Sequence, residues 1–106
     1  MKIIKRDGRI VDYDRQKIAV AIEKANRDVT GKEKATKEEI KDIIEYIEGL
    51  GKKRVLVEDI QDIIEEKLMD MGKHKLAKEY IVYRYNRALV RKSNTTDESI
   101  LGLIRN

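Results

Sequence analysis

A charged turn near the amino end constrains this chain more than any other stretch. Ile3-Ile4 precedes it, Ile10-Val11-Asp12-Tyr13-Asp14 follows it, and the link is Lys5-Arg6-Asp7-Gly8-Arg9. Two β-prone runs joined through Asp-Gly predict a hairpin, because glycine adopts the positive φ that a tight turn demands. A hairpin needs no charge at its tip to fold, yet three cations fall within these five residues. Asp14 is placed to cap the helix that follows. Fixed positive charge and free backbone N–H groups are thereby aimed at one place, an arrangement that holds phosphate.

The 106 residues suit one domain with a modest core. Charged residues make up 42% and apolar residues 41%, which predicts a small aliphatic core in a dense charged shell. With no cysteine and one histidine, disulfides, thiolate metal sites, multi-histidine metal sites and cysteine nucleophiles are excluded. No apolar run approaches the ~20 residues of a membrane span, and no signal-peptide pattern opens the chain, so a cytoplasmic protein is expected. The net charge of +4 is unevenly distributed. Residues 1–26 carry seven Lys/Arg against four Asp/Glu, residues 71–106 carry eight against three, and the middle carries nine against thirteen. If the two ends meet, they make a local site for an anion. The alternative is that the charge only solvates helix faces.

Along the chain, Ile18, Ile22, Ala25 and Val29 mark a helix that Asp14 caps. Lys17 lies in its first turn, where a cation opposes the helix dipole; a bound phosphate would reverse that sign, whereas pairing with Asp14 would make it an ordinary surface lysine. Residues 30–34 read as a loop. Thr36 with Glu39 forms a capping box ahead of the stripe Ile40, Ile43, Ile44, Ile47 and Leu50, which Gly49 and Gly51 end. Val55-Leu56-Val57 reads as a short strand. The next stripe is Ile60, Ile63, Ile64, Leu68 and Met71, closed by Gly72. Gln61 lies just off it and faces either solvent or a pocket. The last helix runs from His74 to Lys92, with Leu76, Ala77, Tyr80, Ile81, Ala88 and Leu89 as its buried side. Arg84, Arg87 and Arg91 share one of its faces. Ser93 to Thr96 reads as a loop, followed by a short apolar docking segment with Ile100, Leu101, Leu103 and Ile104. The expected fold class is α+β: a small three-stranded sheet, made of the hairpin plus one short strand, with a four-helix bundle.

Catalysis fails on inventory, since no nucleophile–base pair or phosphate-loop signature is present. His74, at a helix start, suits a surface or capping role. The arginine stripe could track a nucleic-acid backbone, but the acidic middle opposes a long polyanion and favours a nucleoside triphosphate. The stripe could equally pair with acids of the protein's own surface.

Four motifs, taken together, resemble the ATP-cone domain. They are Ile4-Lys5-Arg6-Asp7-Gly8-Arg9, Tyr13-Asp14-x-x-Lys17-Ile18, Val57-Glu58-Asp59-Ile60-Gln61-Asp62, and Ala77-Lys78-Glu79-Tyr80-Ile81-x-Tyr83-Arg84-x-x-Arg87. The resemblance covers residues 2–92 and implies the ATP-cone fold, the nucleotide-sensing regulatory domain of many ribonucleotide reductases and of a transcriptional repressor of their genes. It implies Lys5 and Arg6 against the phosphates, Val11, Asp12, Tyr13 and Asp14 around base and sugar, and Lys17 near phosphate. Val57 and Gln61 would border the ribose and phosphate side, and Arg84 and Arg87 would close the site. Some relatives hold a hydroxyl residue at the position of Val57 and a histidine at that of Gln61, so ribose contacts here must come from elsewhere.

The segment Asn94–Leu101 is similar to the junction of anaerobic (class III) ribonucleoside-triphosphate reductases, where the cone passes into the catalytic barrel. The resemblance therefore implies a regulatory domain over residues 1–92, with residues 93–106 a linker leading to a catalytic domain. It implies ATP as activator and dATP as inhibitor, with Mg²⁺ on the phosphates. The expected partners are the parent's catalytic domain and further copies of the cone, through the acidic second and third helices or the apolar tail. Two other readings stay open: a cone in a DNA-binding repressor, and a cone that has lost its ligand and serves only oligomerisation.

Overall fold

The computed structural model describes the backbone of residues 1–100 and the side chains of residues 1–90. The chain forms β1 (Lys2–Ile4), β2 (Ile10–Asp12), α1 (Arg15–Asn26), α2 (Lys37–Glu48), β3 (Arg54–Leu56), α3 (Val57–Asp70) and α4 (His74–Ile100), with a 3₁₀ turn at Gly31–Glu33. This is the expected α+β arrangement of three short strands and four helices.

The hairpin closes as its residues dictate. Gly8 N–H donates to the Lys5 carbonyl (3.0 Å) and Lys5 N–H to the Arg9 carbonyl (2.8 Å). Gly8 sits at φ +88°, which only glycine adopts without strain. Asp7 braces the turn by accepting from the Arg9 backbone N–H (3.1 Å) and from Arg9 Nε (2.7 Å). The register pairs Lys2 with Asp12, Ile3 with Val11 and Ile4 with Ile10. β3 joins the other edge of β1 in parallel, giving the order β2-β1-β3. A parallel pair needs a long crossover, which α1 and α2 provide.

The first two helices start where their caps predict. The Asp14 carboxylate accepts from the Gln16 N–H (3.0 Å) at the head of α1. Thr36 and Glu39 satisfy each other's backbone N–H groups at the head of α2, which completes the capping box. The Asn26 amide at the end of α1 both donates to and accepts from the backbone of Ala35, pinning the intervening loop. Gly72, at φ +78°, turns the chain from α3 into α4.

The core is aliphatic. Ile22 from α1, Ile43 and Ile47 from α2, Ile64 and Leu68 from α3 and Leu76 from α4 are its largest fully buried side chains. Ile3 and Val55 seal the sheet against it, and no polar or charged residue is buried with it among the described residues.

Three boundaries differ from the sequence reading. Val57 is not a strand residue; it opens α3, and the third strand is Arg54–Leu56. The buried side of α4 is shorter than its apolar residues suggest: Leu76, Ala77 and Tyr80 are buried, but Ile81 and Leu89 are exposed and Ala88 half-buried. Between Ile81 and Val90 the helix turns most of its apolar groups to solvent, and only Tyr83 and Ala88 among them stay half-buried. The expected loop at 93–96 is instead helical, because α4 continues to Ile100. Ser, Asn and Thr are mediocre helix formers, but none breaks an established helix as Pro does. The expected docking segment beyond Ile100 lies outside the described residues.

Candidate functional site

The two ends of the sequence meet through α1 and α4, which pack against each other with α3 alongside. Between them and the sheet lies a cleft with a cavity volume of about 200 Å³. Lys5 enters from the hairpin, and Val11, Asp12, Tyr13 and Asp14 from β2 and its exit. Lys17 comes from the first turn of α1, Val57 and Gln61 from that of α3, and Arg84 and Arg87 from α4. Ten of the eleven residues that the sequence reading brought together therefore share this one cleft.

The eleventh, Arg6, does not line it. Arg6 lies over an adjoining shallow groove shared with Glu65, Ile81, Arg84, Tyr85 and Ala88. Its Nε pairs with Glu58 (3.1 Å) and its Nη2 donates to the Gln61 side-chain oxygen (3.4 Å). The reason is local: the hairpin turn points successive side chains apart, so Lys5 faces the cleft while Arg6 reaches over the start of α3.

The cleft combines two chemistries. Lys5, Lys17, Arg84 and Arg87 set four cations against the two carboxylates of Asp12 and Asp14. Both acids are engaged elsewhere. Asp12 pairs with Lys2 across the hairpin, and that hydrogen bond, aided by the lysine's charge, holds its carboxyl below the ordinary aspartate value. Asp14 caps α1. Among the described residues Lys17 makes no ion pair with Asp14, so the surface-pair reading of this lysine is not what the chain adopts. The other chemistry is an apolar wall of Ile3, Ile18, Ala21, Ile60, Ile64, Tyr80 and Tyr83. Tyr80 and Tyr83 lie 6.5 Å apart between ring centroids, and the Lys24 ammonium stands 5.8 Å from the centre of the Tyr83 ring.

This wall is the part that the list of candidate residues lacked. Tyr83 is one helical turn before Arg87 and three residues after Tyr80, and Ala21 is one turn beyond Lys17. Extending each cationic position by three or four residues along its helix would have found both.

Two side chains in the cleft are held by partners outside it. Tyr13 O–H donates to Glu48 Oε2 (2.8 Å) at the end of α2, and Arg15 binds the same carboxylate. Burial, then the Glu48 hydrogen bond and charge, push the Tyr13 hydroxyl well above the ordinary tyrosine value. Arg84 Nη1 donates to Asp62 Oδ1 (2.9 Å) and Glu65 Oε2 (2.5 Å) of α3. Burial disfavours the charge on Arg84, but these hydrogen bonds and the two carboxylates outweigh it and raise its pKa. One arginine of the stripe is therefore paired with the protein's own acids, while Arg87 makes no ion pair among the described residues. Arg91 lies outside the residues whose side chains are described.

No group of three or more His, Cys, Asp or Glu could hold a metal ion among the described residues. No helix is long and apolar enough to cross a membrane among them either. What the cleft offers is recognition of a ligand with an anionic end and a flat apolar end.

The chain is 36% identical over 110 residues to the ribonucleoside-diphosphate reductase subunit alpha of Chlamydia trachomatis, which covers 93% of this chain and 10% of that protein. It is 39% identical over 104 residues to the protein of the same name from Chlamydia pneumoniae, covering 90% of this chain and 10% of that one. To the vitamin B12-dependent ribonucleoside-diphosphate reductase of Thermoplasma acidophilum it is 35% identical over 96 residues, covering 86% and 12% respectively. The chain thus spans about a tenth of the length of these relatives. The ATP cone domain family matches residues 1–89, from the hairpin through Arg84 and Arg87 of α4, and to that family the chain belongs.

Proposed function

We propose that this domain binds ATP or dATP in the cleft between the hairpin, α1, α3 and α4, and that it regulates a ribonucleotide reductase without reacting on the nucleotide. The observation that carries this reading is the convergence of Lys5, Lys17, Arg84 and Arg87 on a cleft whose remaining wall is aliphatic and aromatic. A triphosphate needs the first feature and an adenine ring the second. Cone domains take ATP or dATP as allosteric effectors, and the relatives named above are reductases.

In this reading Lys5, Lys17 and Arg87 meet phosphate oxygens and Arg84 closes the site. Val11, Asp12, Tyr13 and Asp14 hold base and sugar, and Val57 and Gln61 border the ribose. Arg6 would contribute charge from the adjoining groove. The donor set does not build a resident Mg²⁺ site, since Asp12 and Asp14 are already engaged by Lys2 and the head of α1. Any Mg²⁺ would arrive on the nucleotide's own phosphates.

The parent enzyme we infer is a cytoplasmic anaerobic, class III ribonucleoside-triphosphate reductase. That inference rests on the sequence Asn94–Leu101; the cone itself is shared with the diphosphate reductases to which the chain is similar. Residues 1–92 would be the regulatory unit and residues 93–106 the passage to the catalytic domain. ATP would keep the enzyme active and dATP would switch it off. The two differ by one hydroxyl, so their differential binding is small and must be amplified by a change in contacts with the catalytic domain or with another cone; such coupling is typically ~1–3 kcal/mol.

Titration calorimetry with ATP, dATP and GTP tests the reading. Micromolar binding of the adenine nucleotides is expected. Lys5→Ala should weaken it at least tenfold, the cost of one charge-assisted hydrogen bond of about 1.5–3 kcal/mol. A folded sample that binds no adenine nucleotide would overturn it.

A further inference from the structure

Two of the arginines brought to this region are already bound to anions, and all of those anions belong to α3. Glu58, Asp62 and Glu65 follow one another at spacings of four and three, which places them on one face of that helix. Glu58 holds Arg6 at 3.1 Å; Asp62 and Glu65 share Nη1 of Arg84 at 2.9 and 2.5 Å. Arg84 also lines the cleft and is largely shielded, its side chain 19% exposed, as is that of Glu65. Of the four cations Arg6, Lys17, Arg84 and Arg87, Arg6 and Arg84 are held by carboxylates, while Lys17 and Arg87 carry no ion pair among the described residues.

We propose that the Glu58-Asp62-Glu65 row is a built-in counter-anion, which competes with a ligand's phosphates for Arg84 and Arg6 and thereby sets the affinity of the cleft. The inference rests on the nucleotide reading above and specifies how that site is tuned. Arg84 with its two carboxylates is a cluster of net charge −1. A phosphate approaching Arg84 meets that negative field as well as the guanidinium. To bind Arg84 in the planar, two-bonded manner that suits phosphate, the ligand must share or displace the α3 carboxylates. Occupation of the cleft would then loosen the ion pairs that tie α4 and the hairpin tip to α3, with Lys17 and Arg87 as the first contacts.

The charge is separable from the shape of these side chains. Glu65→Gln and Asp62→Asn keep an acceptor oxygen for Arg84 but remove the negative charge. Unit charges about 6 Å apart in a water-like medium interact by enough to change affinity about threefold. Each variant should bind ATP about threefold more tightly than the wild type, and the double variant about tenfold. Adenosine, which has no phosphate, should bind all of them equally. Calorimetric titration of the full chain with ATP and with adenosine gives both comparisons, and thermal melting confirms folding. Asp62 is 59% exposed on its side chain, so Asp62→Asn remains informative even if Glu65→Gln lowers stability.

Unchanged or weaker ATP binding by both variants, with a normally binding wild type, would overturn the proposal; weaker binding would mean that the carboxylates position Arg84 for the ligand. Equal tightening of ATP and adenosine would overturn it too, since charge competition acts only on phosphate. Absence of ATP binding by the wild type and both variants would instead overturn the nucleotide reading, and this inference with it.

Discussion

Tyr13 shows how one side chain couples the cleft to a helix that does not line it. Its ring forms part of the wall, while its hydroxyl donates to Glu48 at the end of α2. Arg15 binds the same carboxylate through Nε (3.1 Å) and Nη2 (3.2 Å). Removing the hydroxyl with Tyr13→Phe therefore leaves Glu48 paired, and the cost should be an ordinary ~0.5–1.5 kcal/mol, read from the urea midpoint at neutral pH. The pH dependence is more specific. Burial and Glu48 raise the Tyr13 pKa above its unfolded value of 10.0. Below pH 10 the hydroxyl is protonated in both states and its contribution is intact. Above pH 10 the unfolded chain loses the proton first, so stability must fall as pH rises. Tyr80, raised chiefly by burial, acts in the same direction. The urea midpoint of the wild type should thus decline between pH 9.5 and 11, roughly, and that of Tyr13→Phe should decline less steeply. Parallel slopes would show that Glu48 does not hold Tyr13 in solution.

Among the elements, the passage from β3 to α3 is the least conventional. Leu56 ends the strand and is also the residue before the helix, with φ −68° and ψ 136° and no side-chain cap. No turn separates strand from helix, which is why Val55-Leu56-Val57 looked like a single β run: the β-branched Val57 satisfies a helix's first position as well as a strand's last. The helix head is instead compensated by Glu58 and Asp59 in its first turn. Leu56 is 49% exposed, so a residue that caps should improve on it at little packing cost. Leu56→Thr keeps a strand-compatible side chain and adds a hydroxyl for an orphan N–H, and should raise stability by about 0.5–1 kcal/mol. A thermal midpoint unchanged or lowered would mean that the Leu56 side chain contributes packing that its exposure conceals. The other helix heads were legible because their caps are side chains with a known partner spacing, as at Asp14 and at Thr36 with Glu39. The apolar face of α4 was legible only where it meets the core. From Ile81 the same periodicity continues although Ile81, Val82, Leu89 and Val90 are exposed and only the Tyr83 and Arg84 side still meets the protein, and periodicity cannot tell a packed face from a bare one.

At the scale of the whole molecule, the cleft exists because the chain closes on itself. Its cations come from the hairpin and α1 at one end and from α4 at the other, and the acidic middle supplies α3, whose carboxylates hold Arg6 and Arg84. The charge segregation in the sequence announced an anion site on the condition that the two ends meet. It could not announce that the middle would reach into that site with its own anions, because that depends on where α3 lies between α1 and α4. This closure also says how much of the chain the site requires. Among the described residues, every one that lines the cleft lies at or before Arg87, and the buried residues of α4 end at Tyr80. A chain ending at Lys92 keeps every described residue of the core and the cleft, and should therefore melt within a few degrees of the full chain and keep its ATP affinity within about twofold. A chain ending at Ile81 retains the buried positions but lacks Tyr83, Arg84 and Arg87, and should lose ATP binding by at least a hundredfold, since two charge-assisted contacts at ~1.5–3 kcal/mol each disappear. Melting curves and calorimetry on the two truncations read both expectations. Loss of binding by the chain ending at Lys92 would place part of the site beyond that residue and put the domain boundary further along the chain.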